Sequence, residues 1–429
     1  IVGDATNNTF SVPTWTESWS NYSGEGDHPY TELSGEDNIA DAFLGRLTFQ
    51  TTTELLNIVS KILNYEKMPD MINTQWFTRA VLIGDPNSSG QSTVETMHYV
   101  DELLQDNGFS GNYTAYTGGF TSTISTGINA GVSYMAYRGW LGMSGWGNSN
   151  TDALNNGSHL PFVSIITCGT GSFQNEQYAR SERFLTVGTP SVPKGAIGAV
   201  GTATTGTHTL YNNCVTGGIF HGIFNENLVY AGAALARGWY NLNLSYPNDE
   251  HNYVKIFSHW NNLMGDPGVE LWTGVPQYLS VEHADTVIQS ADYLLVSVLN
   301  MFSVPIADAW VTVLQGEDIV FESGYTDANG EVAIPIASMD LSDITVTVSK
   351  HDYIPVQNQR SPMLTTIVQH SQDLVTFISA LNVALYQPQI RHLLQVVDAL
   401  LTSNEQKTIS GLYRLLKSQP DPKSGADFF

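Results

Sequence analysis

Val163-Ser-Ile-Ile-Thr-Cys168-Gly-Thr-Gly-Ser-Phe173 puts one of only two cysteines at the C-terminal tip of an apolar, β-branched run that enters a glycine-broken turn. Such a run reads as a parallel strand buried on both faces, and in open α/β sheets ligands collect beyond the carboxyl ends of such strands. Cys168 is therefore a candidate nucleophile, weighed against a small buried core cysteine. Upstream, Asn129-Ala-Gly-Val-Ser-Tyr-Met-Ala-Tyr137-Arg138-Gly139-Trp140 has the same form. The two tips are expected to be neighbours.

Working outward, strands are predicted at 79–84, 131–137, 162–167 and 196–201, with helices near 94–105 and 174–186 in the crossovers. This α/β alternation implies a parallel sheet. It makes residues 79–274 the second half of an α/β domain, carrying Cys168. Residues 1–78 read as the first half, with a strand at Ile1, a polar loop through Asp27 and His28, and a helix over 52–66. From 275 to 357 the pattern changes to short alternating strands with turns such as Asp327-Ala-Asn329-Gly330, which implies a β-sandwich. Residues 358–429 form a tail whose apolar spacing of three and four over 374–385, 390–402 and 405–419 predicts short amphipathic helices.

Seventeen basic against 41 acidic residues leave a net charge of -24. Nucleic acid is a poor partner for such a surface, since a polyanion demands basic groups. No run of 18 apolar residues exists, so no transmembrane segment is expected. Cys168 and Cys214 make no disulfide framework. Few lysines and many Asn, Thr, Ser, Gly and Tyr suggest a secreted or cell-surface protein, and the start at Ile1 suggests a trimmed chain. No cofactor is required by anything in the sequence. A structural calcium ion could be held by the acids at Glu25, Asp27, Glu36 and Asp37, because calcium takes several oxygen donors. The tail could support self-association, since unpartnered amphipathic helices expose apolar stripes.

On its motifs the chain resembles the gingipain family of caspase-like, clan CD cysteine peptidases. In that family one strand ends Tyr-x-Gly-His with the catalytic histidine last, and a later one ends Cys-x-x-Gly-x-Phe with the nucleophile first. The second motif is met at Cys168, Gly171 and Phe173. The first is met at Tyr137 and Gly139, but Trp140 stands in the histidine's place. Ile1-Val-Gly-Asp4, the Gly35 to Arg46 segment, Ile62-Leu-Asn-Tyr65-Glu66 and Asn262-Leu-Met-Gly265-Asp266-Pro267 resemble further family elements in the family's order, so the resemblance spans about 1–357. It implies a caspase-like parallel-sheet sandwich in two halves, an immunoglobulin-like module after it, and endopeptidase activity on peptide or protein substrates.

The resemblance also implies roles. Cys168 would be the nucleophile, the amides of Leu141 and Gly169 the oxyanion donors, and Tyr137, Arg138, Gly139, Trp140, Gly171 and Phe173 the substrate pocket. The family's acid position falls near Thr117, where no carboxylate stands. A thiol nucleophile needs a base or a cation beside it. Of eleven histidines, His208, in the loop after the 196–201 strand, is the candidate base, with His28 second. Trp140 is expected to pack beside the thiol as a pocket wall. Arg138 could stabilise a thiolate, hold a substrate carboxylate or pair with an acidic loop, but it stays protonated and cannot be a base. Two functions follow: a cysteine endopeptidase, or a catalytically impaired pseudopeptidase that binds ligands or assembles at a surface.

Overall fold

The computed structural model describes residues 1–360 apart from 7, 175–176, 250, 285–291, 317–319 and 337–343. Of the tail expected over 358–429, the part from 361 onward, including all three predicted helices, lies outside the described residues.

Alternation along single strands builds the layers. Strands β3 (Ala80–Gly84), β5 (Tyr134–Arg138), β6 (Phe162–Ile165) and β7 (Gly198–Thr202) are buried at every position. Successive side chains of a strand point to opposite faces, and here both faces are covered. Leu82, Tyr134, Ala136, Phe162 and Val200 enter one apolar core, whereas Val81, Ile83, Met135, Tyr137, Val163 and Ala199 enter the other. The first core is closed by α1 (Thr52–Lys67), α2 (Ser92–Asp106), α6 (Thr209–Asn225) and α7 (Ala231–Ser245); the second by α3 (Phe120–Ala130) and by Trp146 and Leu154, which flank the short α4 (Asn148–Asp152). Helix α5 (Arg180–Thr186) supplies Leu185 to the first and Phe184 to the second. Each large apolar side chain so buried contributes about 1.5–3 kcal/mol.

With β4 (Tyr113–Ala115) and β8 (Asn261–Met264), the sheet order is β8-β7-β6-β5-β3-β4. All neighbours are parallel except β8, which runs antiparallel to β7. The strand expected at Ile1 is reduced to bridges. Val2 pairs with Leu47 and Arg46 pairs with Met264, so the start of the chain continues the sheet edge past β8. The polar loop expected near His28 instead contains a hairpin, β1 (Trp15–Trp19) with β2 (Tyr22–Gly26). The expected 174–186 helix is shorter, because its described helical part begins at Arg180.

Beyond Pro276 lie two four-stranded sheets. One holds β9 (Gln277–His283), β10 (Tyr293–Asn300), β13 (Glu331–Pro335) and β15 (Tyr353–Ile354); the other holds β11 (Trp310–Gln315), β12 (Val320–Tyr325), β14 (Ile344–Ser349) and β16 (Val356–Arg360). Val296 and Val298 from the first and Val311, Val313 and Val346 from the second share one apolar core.

Candidate active site

Because β5, β6 and β7 run parallel, the turns that leave them share one sheet edge. Cys168, two residues beyond Ile166 and 7% exposed, sits in the middle turn. It pairs with Leu141 in a parallel bridge, and its carbonyl accepts the Gly142 amide at 2.7 Å. On the other side, Gly169 N–H donates to Thr204 O at 2.6 Å and Gly171 N–H to Thr202 O at 2.9 Å. Gly169 needs its φ of +68° to make this turn. The turn that carries Cys168 is thus stitched to both neighbours.

The sulfur's hydrogen-bond partner is Thr207 Oγ1 at 2.9 Å, and Asn212 Nδ2 donates to that same oxygen at 2.7 Å. The loop expected to approach Cys168 does so, but through Thr207 and not through its neighbour. His208 is exposed and caps α6, its Nδ1 accepting from Leu210 N at 3.2 Å. Among the described residues no imidazole bonds the sulfur. His28 is fully buried against Trp239, with ring centroids 4.6 Å apart.

The expected oxyanion donors separate. Gly169 N–H is spent on Thr204, which corrects its assignment as a free donor. Leu141 N–H meets no intramolecular acceptor among the described residues.

The expected pocket residues separate too. Tyr137, Arg138, Gly139, Gly171 and Phe173 are buried, so they form the floor and not a lining. The cause is the two-sided burial of the strands. Phe173 lies beneath the Arg46 guanidinium, 5.2 Å from ring centroid to Cζ, and Arg46 pairs with Asp27 at 2.7 Å. Asp27, expected among calcium donors, is committed to that pair. Among the described residues no group of three or more His, Cys, Asp or Glu is placed to hold a metal. Trp140, expected against the thiol, is 54% exposed. The chain turns outward there as Leu141 takes the bridge to Cys168.

Arg138 is wholly buried. Its Nε donates to Asn213 Oδ1 at 2.8 Å, Nη1 to Ile166 O and to Thr167 Oγ1 at 3.3 Å, and Nη2 to Thr209 O at 3.2 Å. Burial lowers its pKa to about 10, opposed by Cys168 and Tyr137, so the guanidinium remains protonated. Burial raises the Tyr137 phenol, with hydrogen bonds from Ser144 acting against it. Tyr137 and Ser144 both donate to Asp85, Tyr137 at 3.3 Å. Arg180 reaches across the mouth, donating to Gly169 O at 3.1 Å and Trp146 O at 3.2 Å. Thr207, Asn212, Asp85 and Arg180 escaped the reading of the sequence. Thr207 was one residue from the histidine that reading selected, and a threonine carries no pattern that marks it.

A mostly parallel sheet therefore presents a cysteine at a central strand tip, between the turns of its two neighbours. A sequence profile described as peptidase family C25 matches residues 1–272, and the chain belongs to that family. Gingipain R2 of Porphyromonas gingivalis is 24% identical over 189 residues, 41% of this chain and 25% of the relative. Gingipain R1 of the same organism is also 24% identical, over 41% of this chain and 19% of its own length. The chain therefore matches a quarter or less of these curated relatives. The crystal structure of the Arg-specific cysteine proteinase gingipain R superposes with a TM-score of 0.72 at 18% identity, covering 84% of this chain and 83% of that one. The complex of the Porphyromonas gingivalis RgpB pro- and mature domains gives 0.71 at 18% identity, covering 84% of each. These matches establish the gingipain-type caspase-like fold. No described helix is long and apolar enough to cross a membrane.

Proposed function

We propose that this chain binds peptides or proteins and attacks them through Cys168 as a gingipain-type cysteine peptidase, retaining the acylation nucleophile but lacking an imidazole to protonate the leaving amine. The observation that carries the reading is the Cys168 sulfur, held at the sheet edge with a hydroxyl and, among the described residues, no imidazole as its partner. A positioned acid or base contributes typically about 10²–10⁴-fold, so turnover should be slow while the thiol stays reactive. Treatment of the folded, reduced protein with a peptide-based thiol-directed inhibitor should give an adduct at Cys168 by mass spectrometry. Absence of that adduct would overturn the proposal.

One observation favours a second reading, a pseudopeptidase that only binds. Trp140, at the position of the family histidine, offers a half-exposed indole, a stacking surface for ligands. Peptide hydrolysis by the unmodified chain that disappears in Cys168→Ala would eliminate it.

In either case residues 275–357 serve as an immunoglobulin-like brace on the peptidase-like body of 1–274. The acidic, lysine-poor composition fits a secreted or cell-surface setting, and the 358–429 tail is the candidate for self-association. Light scattering on full-length and tail-deleted protein tests the last point; an unchanged monomer in both would exclude it.

A further inference from the structure

We infer that the stretch 374–385 of this chain folds back on its own sandwich and covers the apolar outer half of the sheet formed by β11 and β12. The inference is independent of the reading of Cys168.

A sandwich sheet packs one face into the core and turns the other to water, so its strands alternate apolar and polar side chains. β14 obeys this rule: Ile344, Val346 and Val348 are buried, and Thr345, Thr347 and Ser349 alternate with them. β11 and β12 break it. Val311, Val313 and Val320 supply the core, yet Trp310 and Leu314 on β11 and Phe321 and Tyr325 on β12 are 38–71% exposed. The register sets these four in two pairs, Trp310 opposite Tyr325 and Leu314 opposite Phe321, and the Trp310 and Tyr325 ring centroids lie 6.2 Å apart. β12 is also the edge strand of its sheet. A contiguous apolar patch on an exposed sheet face marks an interaction surface, and on an edge strand it invites unwanted pairing unless something covers it.

The path of the chain identifies the occupant. β16 belongs to the same sheet, and its last residue, Arg360, stands opposite Ile344. Ile344 stands opposite Gln315, and Gln315 opposite Val320. The chain therefore leaves the sheet at the end that carries Leu314 and Phe321. Residues 361–373, fully extended, reach up to about 40 Å, whereas β11 and β12 lie two and three strands from β16, roughly 10–15 Å away.

Residues 374–385, Leu-Val-Thr-Phe-Ile-Ser-Ala-Leu-Asn-Val-Ala-Leu, contain no ionisable side chain. Leu374, Phe377, Ile378, Leu381 and Leu385 fall on one face at helical spacing. A helix of this length extends about 18 Å, enough to lie over the run from Trp310 to Leu314, which rises about 13 Å. The stripe and the sheet face are both apolar, and burying each against the other removes both from water. The later amphipathic stretches, 390–402 and 405–419, are left for self-association.

The test uses the full chain with Phe321 replaced by the photocrosslinking residue p-benzoylphenylalanine; the position is exposed, so the core is undisturbed. Unlabelled and heavy-isotope-labelled protein are mixed in equal amounts, irradiated and digested with trypsin, which cuts after Arg360 and Arg391 and releases 361–391 as one peptide. The expected adduct joins position 321 to a residue within 374–385 of the same isotopic label. Phe377→Asp combined with Ile378→Asp should abolish it. Without the crosslinker, Phe321→Asp should speed chymotryptic cleavage after Phe377 by about tenfold or more, because burial of a Phe side chain is enough to shift an opening equilibrium by that factor. Absence of an adduct on 361–391, an adduct that survives the double substitution, or an unchanged cleavage rate in Phe321→Asp would overturn the inference. An adduct that joins differently labelled chains would also overturn it, and would assign the face to a second copy of the chain.

Discussion

Gly171 and Gly201 meet backbone to backbone: a Cβ placed on Gly171 would lie 2.7 Å from the carbonyl carbon of Gly201 and 2.9 Å from the nitrogen of Thr202. Position 171, three residues beyond Cys168, is therefore a glycine because the neighbouring strand leaves no room for a side chain. Gly171→Ala should destabilise the fold by about 1–3 kcal/mol, the range for overpacking a filled interior, and should slow alkylation at Cys168 by displacing its turn. Thermal unfolding and alkylation rate measure both effects; an unchanged Tm would show that the two turns are not clamped.

A second prediction concerns His28 and His259, both wholly buried. Burial is the first cause of depression in each, and each is lowered from 6.5 to about 4. Glu32 lies 3.2 Å from His28 Nδ1, yet it makes no hydrogen bond there, and enclosure dominates. The unfolded chain binds these protons first. Stability contributed by the neutral rings is thus complete above about pH 6.5 and is lost as pH falls towards 4, by up to roughly 3 kcal/mol for each histidine. Denaturant titrations between pH 7 and 4 should show this slope, and His28→Phe should flatten part of it. An equal slope in the variant would exclude His28 as a contributor.

The opposite sign applies at the junction with the sandwich. His351 Nδ1 lies 2.8 Å from Glu270 Oε1, and Thr273 Oγ1 lies within hydrogen-bonding distance of both His351 and Asp352. Burial lowers the His351 pKa, but the Glu270 hydrogen bond and the charges of Asp352 and Glu270 outweigh it, and the net shift is upward. The charged pair therefore stabilises fully below the ordinary histidine range and loses that contribution as pH rises through the raised value. Limited proteolysis near residue 275 should quicken as pH rises from 6 towards 9, and His351→Gln should remove the pH dependence. A pH-independent cleavage rate in the parent would rule out this latch.

Much of this arrangement was legible in the residues. The buried strands announced themselves because a strand covered on both faces is largely apolar, as Ala80–Gly84 is throughout and Phe162–Ile165 is apart from the buried Ser164. The edge strands did not. Tyr113–Ala115 is only three residues long, and Asn261–Met264 begins with two asparagines whose side chains bond Thr202, Phe257, Glu25 and His259. The place of Cys168 in a turn beyond a buried strand was legible from the sequence, whereas its hydrogen-bond partner Thr207 was not. Thr207 and Asn212 reach Cys168 from a single distant stretch of chain, and a side chain's burial and hydrogen-bond partners are set by packing that no local pattern encodes. The pocket assignment failed for the same reason, since position within a motif does not reveal that Phe173 lies under Arg46.

The most direct test of how far the site has drifted is Trp140→His. Trp140 is 54% exposed, so removing the indole leaves no core cavity and the substitution should cost little stability. The Leu141 bridge to Cys168 fixes the backbone one residue further on, which keeps position 140 at the mouth of the site. An imidazole there would supply the proton acceptor and donor that the sulfur lacks, but no carboxylate stands at Thr117 to orient it. Peptide hydrolysis should therefore rise, by up to about a hundredfold, the lower end of what a positioned acid or base contributes. The gain should vanish in Trp140→His combined with Cys168→Ala. If Trp140→His leaves hydrolysis unchanged while Cys168 still alkylates, the loss extends beyond the histidine to the geometry of the substrate cleft, and the binding-only reading takes precedence.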